Sequence, residues 1–135
     1  MLATSRNRIT LPGGTVFREQ NIVLSPFDTD VIENFWGHKL FTGCYGVNRF
    51  GLMEADPLIV QAQRKLLRRT EHVVVLADSS KLRRQSSMVV SSLQSIATLV
   101  TDDGATSEEL DVFREAQIEV VVATVSEQDP RPESA

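Results

Sequence analysis

A short run of branched apolar residues near the middle of the chain constrains the fold more than any other feature. Residues 72–77 read His-Val-Val-Val-Leu-Ala, and the polar residues Asp78, Ser79 and Ser80 follow directly. Valine-rich runs of this length favour strands, and a continuous apolar run is typical of a strand buried on both faces of a parallel sheet. The run therefore predicts a parallel sheet with helices packed against it.

Helix signals stand on both sides of this run. Asp56 followed by Pro57 marks a helix start, because an N-cap acceptor precedes a proline in the first turn. This helix is predicted to end near Arg69. Its inward-facing residues are predicted to be Ile59, Ala62 and Leu66. Further along, Thr106 and Glu109 form a capping box, which predicts a second helix with Leu110 and Phe113 facing inward.

Strand signals alternate with these helices. The predicted strands, besides residues 72–77, are residues 9–11, 21–25, 39–45, 88–90, 98–101 and 118–124, and a further helix is predicted to begin at Asp28. Strands that alternate with helices fold into βαβ units. The predicted class is α/β: a mainly parallel, Rossmann-like sheet with flanking helices.

Length and composition set the domain count and exclude several functions. The 135 residues suffice for one domain, and the net charge of −4 argues against nucleic-acid binding, which needs a basic surface. A single cysteine and the lack of a long apolar run fit a cytoplasmic protein with no membrane span. We expect residues 1–125 to form the domain and residues 126–135, polar with two prolines, to be a disordered tail.

Two polar loops follow predicted strands, at the carboxyl ends where parallel sheets bind ligands. The first loop provides Thr42, Gly43 and Gly46. The second provides Asp78, Ser79, Ser80 and Lys81. An acid, two hydroxyls and an ammonium suit a phosphorylated, hydroxylated ligand. The alternative is an ordinary turn, in which Asp and Ser bond to their own backbone.

The remaining chemically useful side chains are weaker candidates. Glu54 has no structural explanation in the pattern and is a candidate ligand contact, whereas Asp56 is explained as a helix cap. Cys44 has no neighbouring base, and a free cysteine more often serves in packing. His38 and His72 lack metal-ligand spacing. No cofactor or nucleophile motif is present, so we expect no catalytic residue, no metal and no cofactor.

Five segments, taken in order, resemble the C-terminal sensor domain of the DeoR family of bacterial sugar-metabolism repressors. They are residues 11–14 (LPGG), 41–43 (FTG) with Gly46, 51–56 (GLMEAD), 75–81 (VLADSSK) and 100–102 (VTD). The resemblance covers about residues 9–125. It implies a fold similar to that of ribose-5-phosphate isomerase, used for sensing instead of catalysis.

The resemblance also implies a ligand and a site. A phosphorylated sugar would bind with Lys81 as partner of its anionic group, while Asp78 and Ser80 would shape the loop or bind hydroxyls. Residues 43–46 and Glu54 would complete the pocket. The family's helix-turn-helix and its Asp-x-Gly-Ser/Thr loop have no counterpart here, and His38 stands where many relatives have aspartate. We therefore expect a partial sensor domain that does not bind DNA itself.

Two other functions stay open on the sequence. A relative of the sugar-phosphate isomerases would use Lys81 with Glu54 or Asp78 as the carboxylate base. A pure association module would only oligomerise, which the exposed strand edges of a partial sheet favour. We expect a non-enzymatic effector-binding domain that forms homo-oligomers.

Overall fold

A computed structural model describes residues 6–11, 13–18, 21–25 and 31–125 of the chain. The predicted helix start at Asp28 and the predicted tail at residues 126–135 lie outside these described residues. No described helix is long and apolar enough to cross a membrane.

Strands and helices alternate along most of the described chain. The strands are β1 (Thr15–Phe17), β2 (Ile22–Leu24), β3 (Gly37–Thr42), β4 (Gly46–Asn48), β5 (Gly51–Glu54), β6 (Thr70–Leu76), β7 (Met88–Ser91), β8 (Thr98–Asp102) and β9 (Glu119–Ala123). The helices are α1 (Pro57–Arg68), α2 (Ser79–Leu82) and α3 (Ser107–Glu115). Short 3-10 turns cover Val31–Asn34 and Leu93–Ser95.

The centre of the fold is a four-stranded parallel sheet in the order β3-β6-β8-β9. The strands follow one another across the sheet in chain order. Because crossovers between parallel strands are right-handed, this order places the connecting helices on one face of the sheet. A three-stranded antiparallel sheet (β4-β5-β7) and a hairpin (β1-β2) pack beside α1. The predicted α/β class with a mainly parallel sheet and flanking helices is confirmed.

The hydrophobic core lies between one face of the parallel sheet and the helices. Val75, Leu99 and Phe113 are at most 1% exposed. The capping box of α3 forms as predicted, with the Glu109 amide donating to Thr106 Oγ1 at 3.3 Å and the Thr106 amide donating to Glu109 Oε2 at 2.9 Å. These bonds fix the start of α3, so that Phe113 enters the core.

The buried side of α1 differs from the prediction by one residue. Val60, Gln63 and Lys65 are buried, whereas Ile59, Ala62 and Leu66 are half-buried. Val60 with Gln63 and the predicted residues both have the spacing of one helix face. The pair with Val60 was not predicted to be buried, because Gln63 in that pair is polar.

The prediction for residues 72–77 holds at the centre of the strand and not at its ends. Val73, Val74 and Val75 are 4%, 7% and 0% exposed, and because successive residues of a strand point to opposite faces, both faces of the centre of β6 are buried. His72 is exposed and Leu76 is 46% exposed.

Two predictions near the N-terminus are also wrong. Residues 9–11 form no strand, and they are exposed. In the described part of the helix predicted to begin at Asp28, the chain forms the 3-10 turn Val31–Asn34, and Phe35 and Trp36 lie outside it and are 54% and 60% exposed.

Candidate functional site

The carboxyl ends of β3, β6 and β8 meet at one edge of the parallel sheet. Thr42, the last residue of β3, pairs with Val75 of β6, and the amide of Ala77 donates to the carbonyl of Val100 at 3.0 Å. The two polar loops predicted from the sequence leave from this edge. The structure therefore brings both loops to the place where parallel sheets bind ligands.

The loop after β6 is organised by two aspartates. Asp78 caps α2, accepting from the Ser80 amide at 3.0 Å and from the Ser80 hydroxyl. The Ser79 amide donates to Asp102 Oδ2 at 2.7 Å. Asp78 and Ser80 thus have a structural role as the turn that presents α2, and their contact with a ligand stays a prediction.

Gln63 Oε1 is buried at this edge and accepts no hydrogen bond within the described part of the chain, and Lys81 also has unused binding capacity. Lys81 is half-buried on α2, and its ammonium forms no ion pair within the described part of the chain. The charge of Lys81 lowers the pKa of Cys44 and the charge of Asp78 raises it, both after the larger effects of burial and Glu54. An ammonium that forms no ion pair with the protein is suited to bind an anionic group of a ligand.

The loop after β3 is tied to the rest of the site by a buried hydrogen-bond network. Gln63 Nε2 shares its two hydrogens among three acceptors, Thr42 Oγ1 at 3.1 Å, the Gly43 carbonyl at 3.0 Å and Glu54 Oε1 at 3.1 Å. Thr42, Glu54 and Gln63 are each at least nine-tenths buried. Burial raises the pKa of Glu54, while the hydrogen bond from Gln63 and the charge of Lys81 oppose that rise. The network therefore fixes the position of the loop.

The two loop glycines have different surroundings. A side chain at Gly43 would meet no atom within 4 Å, whereas a Cβ at Gly46 would lie 2.6 Å from the carbonyl oxygen of Arg84. Gly46 is thus required for close packing, which gives its presence a structural reason. Gly43 borders open space that a ligand can occupy.

Cys44 and His38 have structural surroundings instead of catalytic ones. Burial, with the charge of Glu54, raises the pKa of the Cys44 thiol to about 12, so the thiol stays protonated and unreactive. His38 lies near the amino end of β3, where Nδ1 is 2.9 Å from Glu71 Oε2, away from the edge that carries Lys81. Trp36 Nε1 donates to the same carboxylate at 3.1 Å.

Gln63 and Asp102 are the residues of this edge that the sequence analysis missed. Gln63 would have been found by shifting the α1 stripe by one residue, since it lies three residues after Val60. Asp102 ends β8, and the carboxyl end of a predicted parallel strand was a sufficient signal to include it. It also holds the turn after β8, accepting from the Gly104 amide at 2.9 Å.

The hydrogen bonds to Asp102 predict a pH-dependent stability. The Ser79 and Gly104 amides hold the pKa of Asp102 below its ordinary value of 3.8. A carboxylate whose pKa is lowered in the folded state stabilises the protein at pH values above its ordinary pKa. This contribution disappears as the pH falls through the lower pKa of the folded state. We expect Asp102→Asn to reduce the free energy of unfolding at pH 7, and the difference from wild type to shrink below about pH 4.

Urea denaturation of both proteins at pH 7, 5, 4 and 3 measures this difference. Glu71→Gln is a positive control at the opposite edge and should show the same shrinking difference, because hydrogen bonds from His38 and Trp36 lower the pKa of Glu71 as well. A difference between Asp102→Asn and wild type that is the same at every pH would contradict the role assigned to these hydrogen bonds.

Comparison with known proteins identifies a family and several relatives. The model of the DeoR C-terminal sensor domain family matches residues 1–103. The HTH-type transcriptional regulator UlaR of Shigella dysenteriae serotype 1 is 32% identical over 112 residues, which are 82% of this chain and 43% of that protein. The regulators of the same name from Escherichia coli O1:K1 and Shigella boydii serotype 18 are 32% identical over 110 residues, with coverage of 80% and 43%. The chain thus spans less than half the length of these relatives.

Proposed function

This chain belongs to the family of DeoR C-terminal sensor domains, and on that premise we propose that it is the effector-binding part of a bacterial repressor of carbohydrate catabolism. We propose a phosphorylated sugar as its effector. The observation that carries the proposal is Lys81, a half-buried residue at the carboxyl edge of a parallel sheet whose ammonium forms no ion pair in the described chain.

The side chains around Lys81 suit a ligand that combines a phosphate with hydroxyl groups. The ammonium donates to the phosphate, and the hydroxyls of Ser79 and Ser80 extend the polar surface beside it. The open space at Gly43 admits the sugar near the carboxylate of Glu54, which accepts hydrogen bonds from sugar hydroxyls. The proposed ligand-binding residues are Thr42, Gly43, Gly46, Glu54, Asp78, Ser79, Ser80 and Lys81.

Sensing accounts for this arrangement better than catalysis. An isomerase needs a carboxylate free to accept a proton from the substrate. Glu54 is buried with one oxygen bonded to Gln63, and Asp78 is engaged as the cap of α2. The relatives are named as transcriptional regulators, which agrees with a sensor that is not an enzyme.

Two partners follow from the proposal. DNA binding is assigned only to a helix-turn-helix domain outside these residues, in keeping with the net charge of −4. We also propose that the chain forms homo-oligomers.

Thermal melting against aldose and ketose phosphates, with the unphosphorylated sugars alongside, tests the proposed effector class. A ligand present at about a hundred times its Kd adds roughly 2.7 kcal/mol of stability, which raises the Tm of a domain of this size by several degrees. We expect such a rise with at least one phosphorylated sugar and with none of the unphosphorylated sugars. Equal shifts with the unphosphorylated sugars would contradict the proposal, and turnover of a sugar phosphate would establish the enzyme instead.

A further inference from the structure

One side chain of α1 reaches the ends of two strands at the edge that carries Lys81. Gln63 lies near the middle of α1, while Thr42 ends β3 and Glu54 ends β5. Gln63, Thr42 and Glu54 are each at most 9% exposed. The three side chains therefore meet where bulk water has little access, and their hydrogen bonds must come from one another and from the backbone.

The amide nitrogen of Gln63 lies within hydrogen-bond distance of three acceptors. Its two hydrogens are shared among Thr42 Oγ1 at 3.1 Å, the Gly43 carbonyl at 3.0 Å and Glu54 Oε1 at 3.1 Å. The Thr42 hydroxyl donates to the same Gly43 carbonyl at 3.1 Å. The Gly43 carbonyl is thus held by two donors, which set the direction of the chain as it leaves β3.

The amide oxygen of Gln63 has no such partner. Oε1 is buried and accepts no hydrogen bond from the described residues. Reversing the amide would place this oxygen against the Gly43 carbonyl and the Glu54 carboxylate, both of which are acceptors, so the acceptors fix its orientation. A buried acceptor without a partner opposes folding. An arrangement that aligns three groups while it lowers stability is typical of a functional site.

The groups that Gln63 aligns border the space proposed for the sugar. A Cβ on Gly43 would meet no atom within 4 Å. The charge of Lys81 lowers the pKa of Glu54, so the two side chains lie within electrostatic range of each other. The Ser86 hydroxyl donates to the Glu54 carbonyl at 2.7 Å and fixes its backbone. The hydrogen bond from Gln63 then determines where the carboxylate lies.

We infer that Gln63 is a positioning residue of the effector site, which holds the Gly43 carbonyl and the Glu54 carboxylate where they accept hydrogen bonds from the sugar part of the ligand. This inference rests on the proposed function. It adds that different residues govern the two parts of the ligand: Lys81 binds the phosphate group, and Gln63 acts on the sugar through Gly43 and Glu54.

Amide NMR titrations with two probes separate these two parts. The probes are inorganic phosphate and the aldose or ketose phosphate that raises the Tm of wild type most. Gln63→Met keeps the length of the side chain and removes its donors. We expect it to raise the Kd of the sugar phosphate roughly tenfold and to change the Kd of inorganic phosphate less than about twofold. Lys81→Ala should raise the Kd of both probes.

Two further variants distinguish positioning from stability. Gln63→Lys provides three hydrogens for the three acceptors and no unpaired oxygen, so it should bind the sugar phosphate at least as tightly as wild type. Val60→Ala is the matched control, because Val60 is 8% exposed one turn earlier in α1. Its Tm should fall while the Kd of both probes stays unchanged. Circular dichroism verifies folding, and Gln63→Asn, which is too short for all three acceptors, replaces Gln63→Met if that variant does not fold.

The outcomes separate this inference from the proposed function. If no sugar phosphate binds to wild type, the proposed function fails and the inference fails with it. If wild type binds and Gln63→Met keeps the same Kd for the sugar phosphate, or weakens both probes equally, the inference is overturned while the effector site stands. Gln63→Lys binding as weakly as Gln63→Met would also overturn it.

Discussion

Replacing Lys81 by alanine is expected to remove about half or more of the thermal stabilisation that a phosphorylated sugar gives to this chain. A hydrogen bond between an ammonium and a phosphate contributes about 1.5–3 kcal/mol when both groups are partly shielded from water. Its loss corresponds to a decrease in affinity of roughly 10- to 150-fold. At about a hundred times the wild-type Kd, the stabilisation should therefore fall from roughly 2.7 kcal/mol to between about 0.3 and 1.4 kcal/mol, with a matching fall in the rise of Tm.

The control for this experiment is Arg68→Ala, which removes a positive charge at an exposed position in the last turn of α1. It should keep the full ligand-induced shift. The proposed role of Lys81 would be wrong if Lys81→Ala melted with the same shift as wild type, or if Arg68→Ala lost the shift to the same extent.

Phe113→Ala is expected to produce the largest loss of stability among substitutions in α3. Phe113 is 1% exposed, and its ring belongs to the core cluster that contains Leu99 and Ile118. Removing a buried phenyl ring costs roughly 3–5 kcal/mol, because transfer free energy is lost and a cavity remains. The whole domain is stabilised by only about 5–15 kcal/mol, so the variant should be close to unfolding.

Urea denaturation at 25 °C measures this loss, with Phe50→Ala as the exposed control. The result bears on the extent of the domain, because Phe113 lies beyond residue 103, where the family match ends. A loss below about 1 kcal/mol for Phe113→Ala would mean that α3 and β9 are not integral to the fold.

Local signals in the sequence predicted most of the fold. Asp56 with Pro57, and Thr106 with Glu109, marked the starts of α1 and α3 correctly, because capping depends on residues close together in the chain. The valine run predicted β6 as a strand of a parallel sheet. The resemblance to the DeoR sensor domain is confirmed by the family match.

The errors arose where tertiary structure decides between local alternatives. Both stripes of α1 satisfy the helical period, and only contact with Thr42 and Glu54 selects the one that contains Gln63. The exposure of Leu76 depends on which layers surround β6, and a run of six residues does not contain that information. Phe35 and Trp36 have helical spacing in the sequence, but local spacing does not supply the packing partners that stabilise a helix.

The candidate site was predictable in outline and not in detail. Strand order placed the loops of Gly43 and Lys81 at one edge, and the structure brings them together there. The sequence did not distinguish Asp78 as a cap from Asp78 as a ligand contact, because the same side chain serves both purposes. Asp102 was overlooked because its partners, the Ser79 and Gly104 amides, belong to the backbone.

The most direct test of the central claim is an amide NMR titration of the chain with the sugar phosphate that gives the largest rise in Tm. Binding at the proposed site predicts saturable shifts of the amide signals of Gly43, Ser79, Ser80 and Lys81, with little change in α3. The same titration of Lys81→Ala should leave these signals in place. Shifts confined to other parts of the chain, or no shift with any sugar phosphate tested, would contradict the assignment of this edge as the effector site.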